Sequence, residues 1–159
     1  MFLIFVHFFP LFYAQDMFYE ANAKKFMIFA EADTRDIYNV AISVSESPCE
    51  PLKIKRGTYI HSPEAVDYDP FEGKVYWTDI TKGLVAKAFL NGSSVEVVAV
   101  YNVRTPRGLA VDYVGRNVYW TDVESKTIEV ARLDGSSRRS LITSKLASPD
   151  AIILNIAER

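Results

Sequence analysis

One short phrase occurs twice in this chain and constrains the fold more than any other feature. Tyr76-Trp77-Thr78-Asp79 recurs 43 positions later as Tyr119-Trp120-Thr121-Asp122. Asn91-Gly92-Ser93-Ser94 recurs at the same offset as Asp134-Gly135-Ser136-Ser137. A repeat of about 40 residues indicates that one supersecondary unit is stacked several times, because a single unit of that size cannot bury its own apolar faces.

The offset changes in the segment ahead of this phrase. Ala65-Val66-Asp67-Tyr68 is similar to Ala110-Val111-Asp112-Tyr113, which lies 45 positions later. We place the difference of two residues in the turns 69–74 and 114–117, since turns tolerate insertions better than strands do.

Each copy is predicted to form four short antiparallel strands. The segments are rich in Val, Ile, Tyr and Trp, which favour strands, and turn residues separate them. Asn91-Gly92 and Asp134-Gly135 predict two-residue type I′ hairpin turns, which need positive φ angles. Four strands in about 40 residues are typical of a β-propeller blade. The predicted strands are 64–69, 74–80, 84–90 and 94–100, then 108–114, 117–123, 127–133 and 138–144.

Two less complete copies flank this pair. The segment 25–43 aligns at an offset of 48, which puts Phe29 in the place of Trp77 and Glu31 in the place of Asp79. At the same offset Ile28 and Ile37 take the places of Tyr76 and Val85. The segment 148–155 is similar to the start of each copy, and it predicts the first strand of a fourth unit.

The N-terminal segment has a different composition. Residues 2–14 are almost wholly apolar, too short a run for a membrane-spanning helix of about 20 residues but typical of a secretory signal peptide. We assign 1–23 to this leader and 24–159 to the propeller, with cleavage after Ala14 or after Ala23; a buried N-terminal strand is the alternative. Cys49 is the only cysteine, so the chain holds no internal disulfide and this thiol is free or paired elsewhere.

Charge and motif content exclude several classes of function. The net charge is −2, which argues against a nucleic-acid partner, and the arginine pair Arg138-Arg139 is interpreted as a solvated turn. No residue spacing matches a metal site, a phosphate-binding loop or a nucleophile elbow. We therefore expect a protein that is not an enzyme, has no catalytic residue, metal or cofactor, and meets a membrane only through a segment downstream of this chain.

The stretch 108–142, GLAVDYVGRNVYWTDVESKTIEVARLDGSSRRSLI, resembles the YWTD repeat, also called the low-density lipoprotein receptor class B repeat. The resemblance extends from about residue 25 to residue 155. The sequence is most similar to those of receptor-related proteins of the Wnt-coreceptor and agrin-receptor type. The resemblance implies an all-β, partial six-bladed propeller of about three four-stranded blades plus the first strand of a fourth. An open half-ring exposes its end faces, so we expect this chain alone to oligomerise or aggregate.

The most conspicuous residues of the repeat are predicted to be structural. Alternation along a strand sends Tyr76 and Thr78 to one face and Trp77 to the other, and both faces are buried when blades stack. A buried carboxylate must be hydrogen-bonded, so we expect each repeated aspartate to bind backbone amides or a basic group. The residues assigned this structural role are Tyr76, Trp77, Asp79, Tyr119, Trp120 and Asp122, with Asp67 and Asp112 as further aspartates.

The candidate binding residues are those that do not repeat. The resemblance implies that the loops leading into each first strand gather on a ligand-binding face. Counting five residues back from the aspartate of each AVD phrase, with Asn155 in the place of the last, selects Ser62, Arg107 and Asp150. Glu124 and His61 are weaker candidates, and for all five the alternative is an ordinary solvated loop residue. Separately, Asn91-Gly92-Ser93 is an N-glycosylation sequon in a predicted turn, although Asn91 can equally serve the turn alone.

The leading functional interpretation is an extracellular binding module of a receptor-related protein, either secreted or part of a cell-surface ectodomain. Its expected partner is an extracellular protein of Wnt-pathway, agrin-like or lipoprotein-like type. The alternatives are a secreted matrix protein of the nidogen type and, less favoured, a six-bladed propeller hydrolase.

Overall fold

The computed structural model describes residues 26–31, 33–41, 50–52, 54 and 59–156. The predicted leader 1–23, its cleavage site and Cys49 lie outside these residues. The described chain is all-β. Its strands are β1 Phe26–Glu31, β2 Asp36–Ala41, β3 Glu50–Pro51, β4 Pro63–Asp69, β5 Lys74–Asp79, β6 Leu84–Phe89, β7 Glu96–Ala99, β8 Pro106–Asp112, β9 Asn117–Asp122, β10 Thr127–Arg132 and β11 Arg139–Ile142.

The strands form three antiparallel sheets in chain order, as successive propeller blades do. The first blade is β1-β2-β3, the second is β4-β5-β6-β7 and the third is β8-β9-β10-β11. The predicted blades are thus confirmed, with two differences among the described residues. The first blade has three strands instead of four, and the segment 151–156, predicted as a first strand, pairs with no described strand.

The sheet register corrects the predicted alignment of the two complete repeats. Val66 pairs with Trp77 and Leu109 pairs with Trp120, so the offset is 43 in the first strand as well. Asp69, rather than Asp67, is therefore the counterpart of Asp112. The similarity of the two AVD phrases is misleading, and no insertion separates the repeats.

Turn chemistry explains this register. Asp69 accepts hydrogen bonds from the amides of Phe71 and Glu72, while Asp112 accepts one from Gly115. Each aspartate thus closes the turn that follows its own strand, as Asx residues commonly do. Only the turn-forming aspartate must keep its place in the repeat. The residues ahead of it in the first strand are therefore free to differ between the two blades.

The Asn-Gly and Asp-Gly turns are not the predicted type I′ hairpins. Within each pair only the glycine, Gly92 or Gly135, has a positive φ angle, of 79° or 87°. Phe89 donates its amide hydrogen to the carbonyl of Ser93, which leaves three residues in the loop. This is the three-residue hairpin in which a glycine follows a type I turn. The Asn91 side chain accepts the amide hydrogen of Ser93 two residues on, which supports this turn.

The blades stack face to face, as alternation along the strands predicts. Trp77 is fully buried in a cluster that joins the first blade to the second, with Ile28 and Ile37 on its other side. Tyr76 and Trp120 are fully buried in the cluster that joins the second blade to the third. These three aromatic residues are buried between blades, as alternation along the strands predicts. The alignment of the first blade at an offset of 48 is confirmed.

Equivalent turns of the second and third blades support a prediction about stability. Gly83 and Lys126 occupy the same left-handed position, at φ angles of 59° and 56°. A Cβ atom on Gly83 would lie 2.5 Å from the carbonyl oxygen of Val103. Gly83→Ala should therefore lower the free energy of unfolding by about 2 kcal/mol or more, combining left-handed strain with this clash.

The matched variant is Lys126→Gly, which removes the same strain from an exposed residue. It should leave the free energy of unfolding unchanged or raise it by roughly 0.5 kcal/mol, since relief of strain is offset by the entropy of glycine in the unfolded chain. Urea unfolding at one fixed protein concentration measures both. Equal effects of the two variants would contradict the role assigned to the Val103 contact.

Candidate functional site

One end of the stacked blades carries the predicted binding loops, and we call it the upper face. It consists of the loops 59–64 and 101–107, the turns 80–83 and 123–126, and the segment 143–150. The opposite end, the lower face, holds the turns that follow β4, β6, β8 and β10. Asn91 lies there and is exposed, so its predicted glycosylation concerns the face away from these loops.

Two buried aspartates hold the loops of the upper face. Asp79 is fully buried and accepts the amides of His61, Ser62 and Lys82 at 2.6, 2.8 and 2.9 Å. One carboxylate thus joins the loop that leads into its blade to the turn that follows β5. The prediction that this aspartate binds backbone amides is confirmed.

Asp122 repeats this arrangement in the third blade. It is 1% exposed and accepts the amides of Arg104, Thr105 and Ser125 at 2.8, 3.3 and 2.9 Å. In the first blade Glu31 takes this place, but its carboxylate accepts only the amides of the turn residues Asp33 and Thr34. Hydrogen bonds from the Thr34 side chain and from these two amides lower the pKa of Glu31.

The threonine of the repeat has a role that the sequence analysis missed. The Thr78 hydroxyl accepts the amide hydrogen of Ala65 at 3.1 Å and donates to the carbonyl of Arg107 at 3.0 Å. Thr121 likewise accepts from Gly108 at 2.8 Å and donates to Asp150 at 2.7 Å. Each threonine therefore connects the first strand of its own blade to the corresponding segment of the next repeat. The only signal for this role in the sequence is that the residue recurs.

Asp67 connects the second blade to the third in a related way. Its carboxylate accepts the amide hydrogen of Val111 at 2.6 Å. Asp112 does not do this, because it lies at the position of Asp69. The prediction that both aspartates bind backbone amides is confirmed, but they are not equivalent residues.

The exposed side chains above this framework are charged and lie close together. Arg104 donates to Glu124 at 2.8 Å, with side chains that are 62% and 56% exposed. Arg107 donates to Asp150 at 3.3 Å, with exposures of 41% and 61%. Three predicted candidates, Arg107, Asp150 and Glu124, are thus brought onto one surface, together with Arg104, which the sequence analysis missed.

Two of the predicted candidates, Ser62 and His61, are placed differently from what the sequence predicted. With the register at 43, the counterpart of Arg107 and Asp150 is Glu64, and the choice of Ser62 for that position was wrong. Ser62 and His61 lie on the upper face, but Asp79 holds their amides. The Nδ1 atom of His61 is buried and has no hydrogen-bond partner among the residues described.

The framework repeats while the side chains that project from it do not. Glu64 and Arg107 occupy the same position in successive repeats and carry opposite charges. The counterpart in the next segment is again negative. Thr81 is the counterpart of Glu124, and His61 is the counterpart of Arg104. A rigid scaffold that presents varied loop side chains is the usual form of a binding surface.

The described residues line a small cavity beside β4 and β8. A cavity of about 40 Å³ lies between β4, β8 and the segment 152–156, and its lining is mainly aliphatic. Small-molecule pockets are usually at least about 300 Å³ in volume. Within the described ranges, no group of three or more His, Cys, Asp or Glu residues is placed to hold a metal ion. No helix there is long and apolar enough to cross a membrane.

The fold and the repeated buried residues define the class of protein. The low-density lipoprotein receptor repeat class B family matches residues 73–113 and 116–154. The chain belongs to this family, and the resemblance to YWTD propellers is confirmed.

Two relatives and one solved structure place the chain more closely. It is 46% identical over 59 residues to human low-density lipoprotein receptor-related protein 5, across 37% of this chain. It is 50% identical over 90 residues to mouse low-density lipoprotein receptor-related protein 4, across 57% of this chain. The chain spans only 4% of the length of each of these relatives.

Among solved structures, the chain is similar to the crystal structure of a nidogen/laminin complex. The TM-score is 0.69 at 26% identity, over 82% of this chain and 49% of that one. A virginiamycin B lyase from Staphylococcus aureus has a TM-score of 0.62 at 14% identity, which shows a shared fold alone.

Proposed function

We propose that this chain is part of an extracellular protein-binding propeller of the receptor-related type, and that the upper face binds the ligand. One observation carries the proposal. Asp79 and Asp122 hold the same loops in the same way in successive blades, while the exposed residues on those loops differ in charge. A structural role alone accounts for the aspartates, but it does not account for two adjacent charge pairs on an otherwise repeating surface.

The chemistry of this surface favours a protein ligand bound without catalysis. Arg104 and Arg107 alternate with Glu124 and Asp150 along the face, so a partner with charges of both signs can pair with them. Arginine in such a setting is a frequent contributor to binding energy, and charges at the edge of an interface mainly set specificity and association rate. The partner proposed here is the one that the resemblance to receptor-related proteins implies: a Wnt-pathway, agrin-like or lipoprotein-like protein outside the cell.

A second candidate function has support from one comparison. The similar nidogen structure was determined as a nidogen/laminin complex. A matrix protein that binds laminin through its propeller is therefore the alternative, and it requires no membrane anchor.

A binding panel tests both functions and yields a prediction. The full chain, immobilised, is exposed to purified Wnt, agrin, lipoprotein particles and laminin, and association is followed by biolayer interferometry. We expect saturable binding of one of them, and we expect Arg104→Glu with Arg107→Glu to weaken it at least about tenfold, since reversal sets like charges against each other.

The matched control is Arg132→Glu, which reverses an exposed arginine on the lower face. It should leave the dissociation constant within about twofold of the starting value, a difference of less than 0.5 kcal/mol. Laminin as the bound partner would favour the matrix alternative. Binding that the control weakens as much as the upper-face variant, or no binding across the panel, would contradict the proposal.

A further inference from the structure

The hairpin turn between β6 and β7 places the sequon asparagine on the same side as an exposed aromatic ring. Phe89 and Ser93 face each other across the turn, since the Phe89 amide donates to the Ser93 carbonyl at 3.0 Å. Residues that lie opposite each other in an antiparallel pair point to the same side of the sheet. Asn91 shares this side, because the Ser93 hydroxyl donates to its Oδ1 atom at 2.6 Å. The carboxamide of Asn91 is therefore held on the side that carries the Phe89 ring.

The Phe89 ring is open to solvent although the residue before it is buried. Phe89 is 38% exposed, whereas Ala88 is fully buried. The ammonium of Lys74 lies 5.2 Å from the ring centroid and also pairs with Glu96 at 2.6 Å. This contact covers only part of the ring. The exposed remainder is an apolar platform beside the Asn91 side chain.

The equivalent hairpin of the third blade shows that the turn itself needs neither residue. Arg132 donates its amide hydrogen to the Ser136 carbonyl at 2.9 Å, as Phe89 does to Ser93. Asp134 accepts the Ser136 amide at 2.9 Å and takes the place of the asparagine. Aspartate has no amide nitrogen to carry a glycan. The aromatic ring and the sequon are thus present together in one turn and absent together from the other, which favours a joint role.

We propose that Asn91 carries an N-linked glycan and that its first N-acetylglucosamine packs on the Phe89 ring. The Asn91-Gly92-Ser93 sequon and its exposed turn suit the modification. The C–H groups on one face of the sugar are attracted to the negative face of an aromatic ring. The sugar is then joined to the loop and packed on the strand, so it stabilises the hairpin of the second blade.

The modification requires the secretory route, and in that respect alone the inference rests on the proposed extracellular function. The donor is a lipid diphosphate that bears the oligosaccharide. The Nδ2 atom of Asn91 forms a bond to C1 of the first sugar and loses one proton. The bond between C1 and the diphosphate oxygen breaks, and the lipid diphosphate leaves. Because the product lies on the lower face, the glycan leaves the surface around Arg104 uncovered.

Mass spectrometry of the full chain, expressed in animal cells, measures the occupancy of Asn91. We expect most copies to carry a glycan there, in the secreted protein and in the total cell extract alike. A mannosidase inhibitor keeps the glycans in the high-mannose form, which endoglycosidase H trims to a single N-acetylglucosamine. Peptide N-glycosidase removes the whole glycan and leaves aspartate at position 91, the residue that the third blade has as Asp134.

Hydrogen exchange then compares the one-sugar form with the sugar-free form. Exchange of the hairpin amides 89–93 should be slower by about threefold or more with one sugar, because packing on the ring opposes local opening. Phe89→Arg, which copies Arg132 and keeps the sequon, should abolish this difference. The matched variant is Phe71→Arg, which replaces another exposed phenylalanine of the lower face and should preserve it.

The results separate a structural glycan from an incidental one. Slower exchange that depends on Phe89 supports the proposal. An unoccupied Asn91 would overturn it, as would equal exchange in the two forms or a difference that survives Phe89→Arg. A binding panel without any bound partner would count against the proposed ligand-binding function and leave this result standing, because the two concern opposite faces.

Discussion

Replacing Asp79 by alanine should lower the free energy of unfolding by about 4 kcal/mol, because three backbone amides lose a charged acceptor. The carboxylate is fully buried and bonds His61, Ser62 and Lys82. Without it, these donors are left unpaired, and the loop and turn that it joins lose their connection. Urea unfolding at fixed protein concentration measures the loss, since any assembly makes stability depend on concentration.

Two controls separate this role from a general effect of charge removal. Asp79→Asn keeps one acceptor oxygen and should cost less than alanine does. Asp134→Ala removes an exposed carboxylate that accepts a single amide hydrogen bond, from Ser136. It should cost no more than about 1 kcal/mol, the usual net contribution of one hydrogen bond. If Asp79→Ala and Asp134→Ala behaved alike, the carboxylate would not be holding the upper face together.

Replacing Trp77 by alanine should also cost about 4 kcal/mol, in line with other truncations of large buried aromatic residues. The ring is fully buried between the first and second blades, and its Nε1 atom donates to the carbonyl of Tyr59 at 3.0 Å. The cavity would separate two blades as well as weaken one. Loss of cooperativity in the first blade should therefore accompany the loss of stability.

The two tryptophans of the repeat allow a finer comparison. Trp77→Phe loses the hydrogen bond to Tyr59, whereas the Nε1 atom of Trp120 has no hydrogen-bond partner among the described residues. The first substitution should therefore cost about 1 kcal/mol more than Trp120→Phe, the usual net contribution of one hydrogen bond. Equal losses would show that the bond to Tyr59 contributes nothing net.

The repeated phrase was sufficient to predict the blades, their strand order and the burial of both tryptophans. It failed at the first strand, where likeness between the AVD phrases placed Asp67 opposite Asp112. Register there depends on which aspartate closes the next turn, and a turn contact three residues away leaves little trace in a sequence comparison. That error carried over to the candidate site, where it selected Ser62 in place of Glu64.

The upper face could be predicted only in part. Charges that differ between repeats pointed to Arg107, Asp150 and Glu124, because variation against a constant background is visible in the sequence alone. Arg104 was missed because the predicted offset of 45 aligned the candidate His61 with Pro106, whereas the observed register makes Arg104 its counterpart. The pairing of Arg104 with Glu124 joins positions 20 residues apart, and only the stacking of loop on turn brings them together.

The sequence by itself determined that this chain is a stack of four-stranded units, because period, turn residues and strand composition are local properties that repeat. The tertiary structure decided the register of the first strands, the threonine link between blades and the composition of the upper face. These features depend on contacts between neighbouring repeats, and a pattern within one repeat does not encode them.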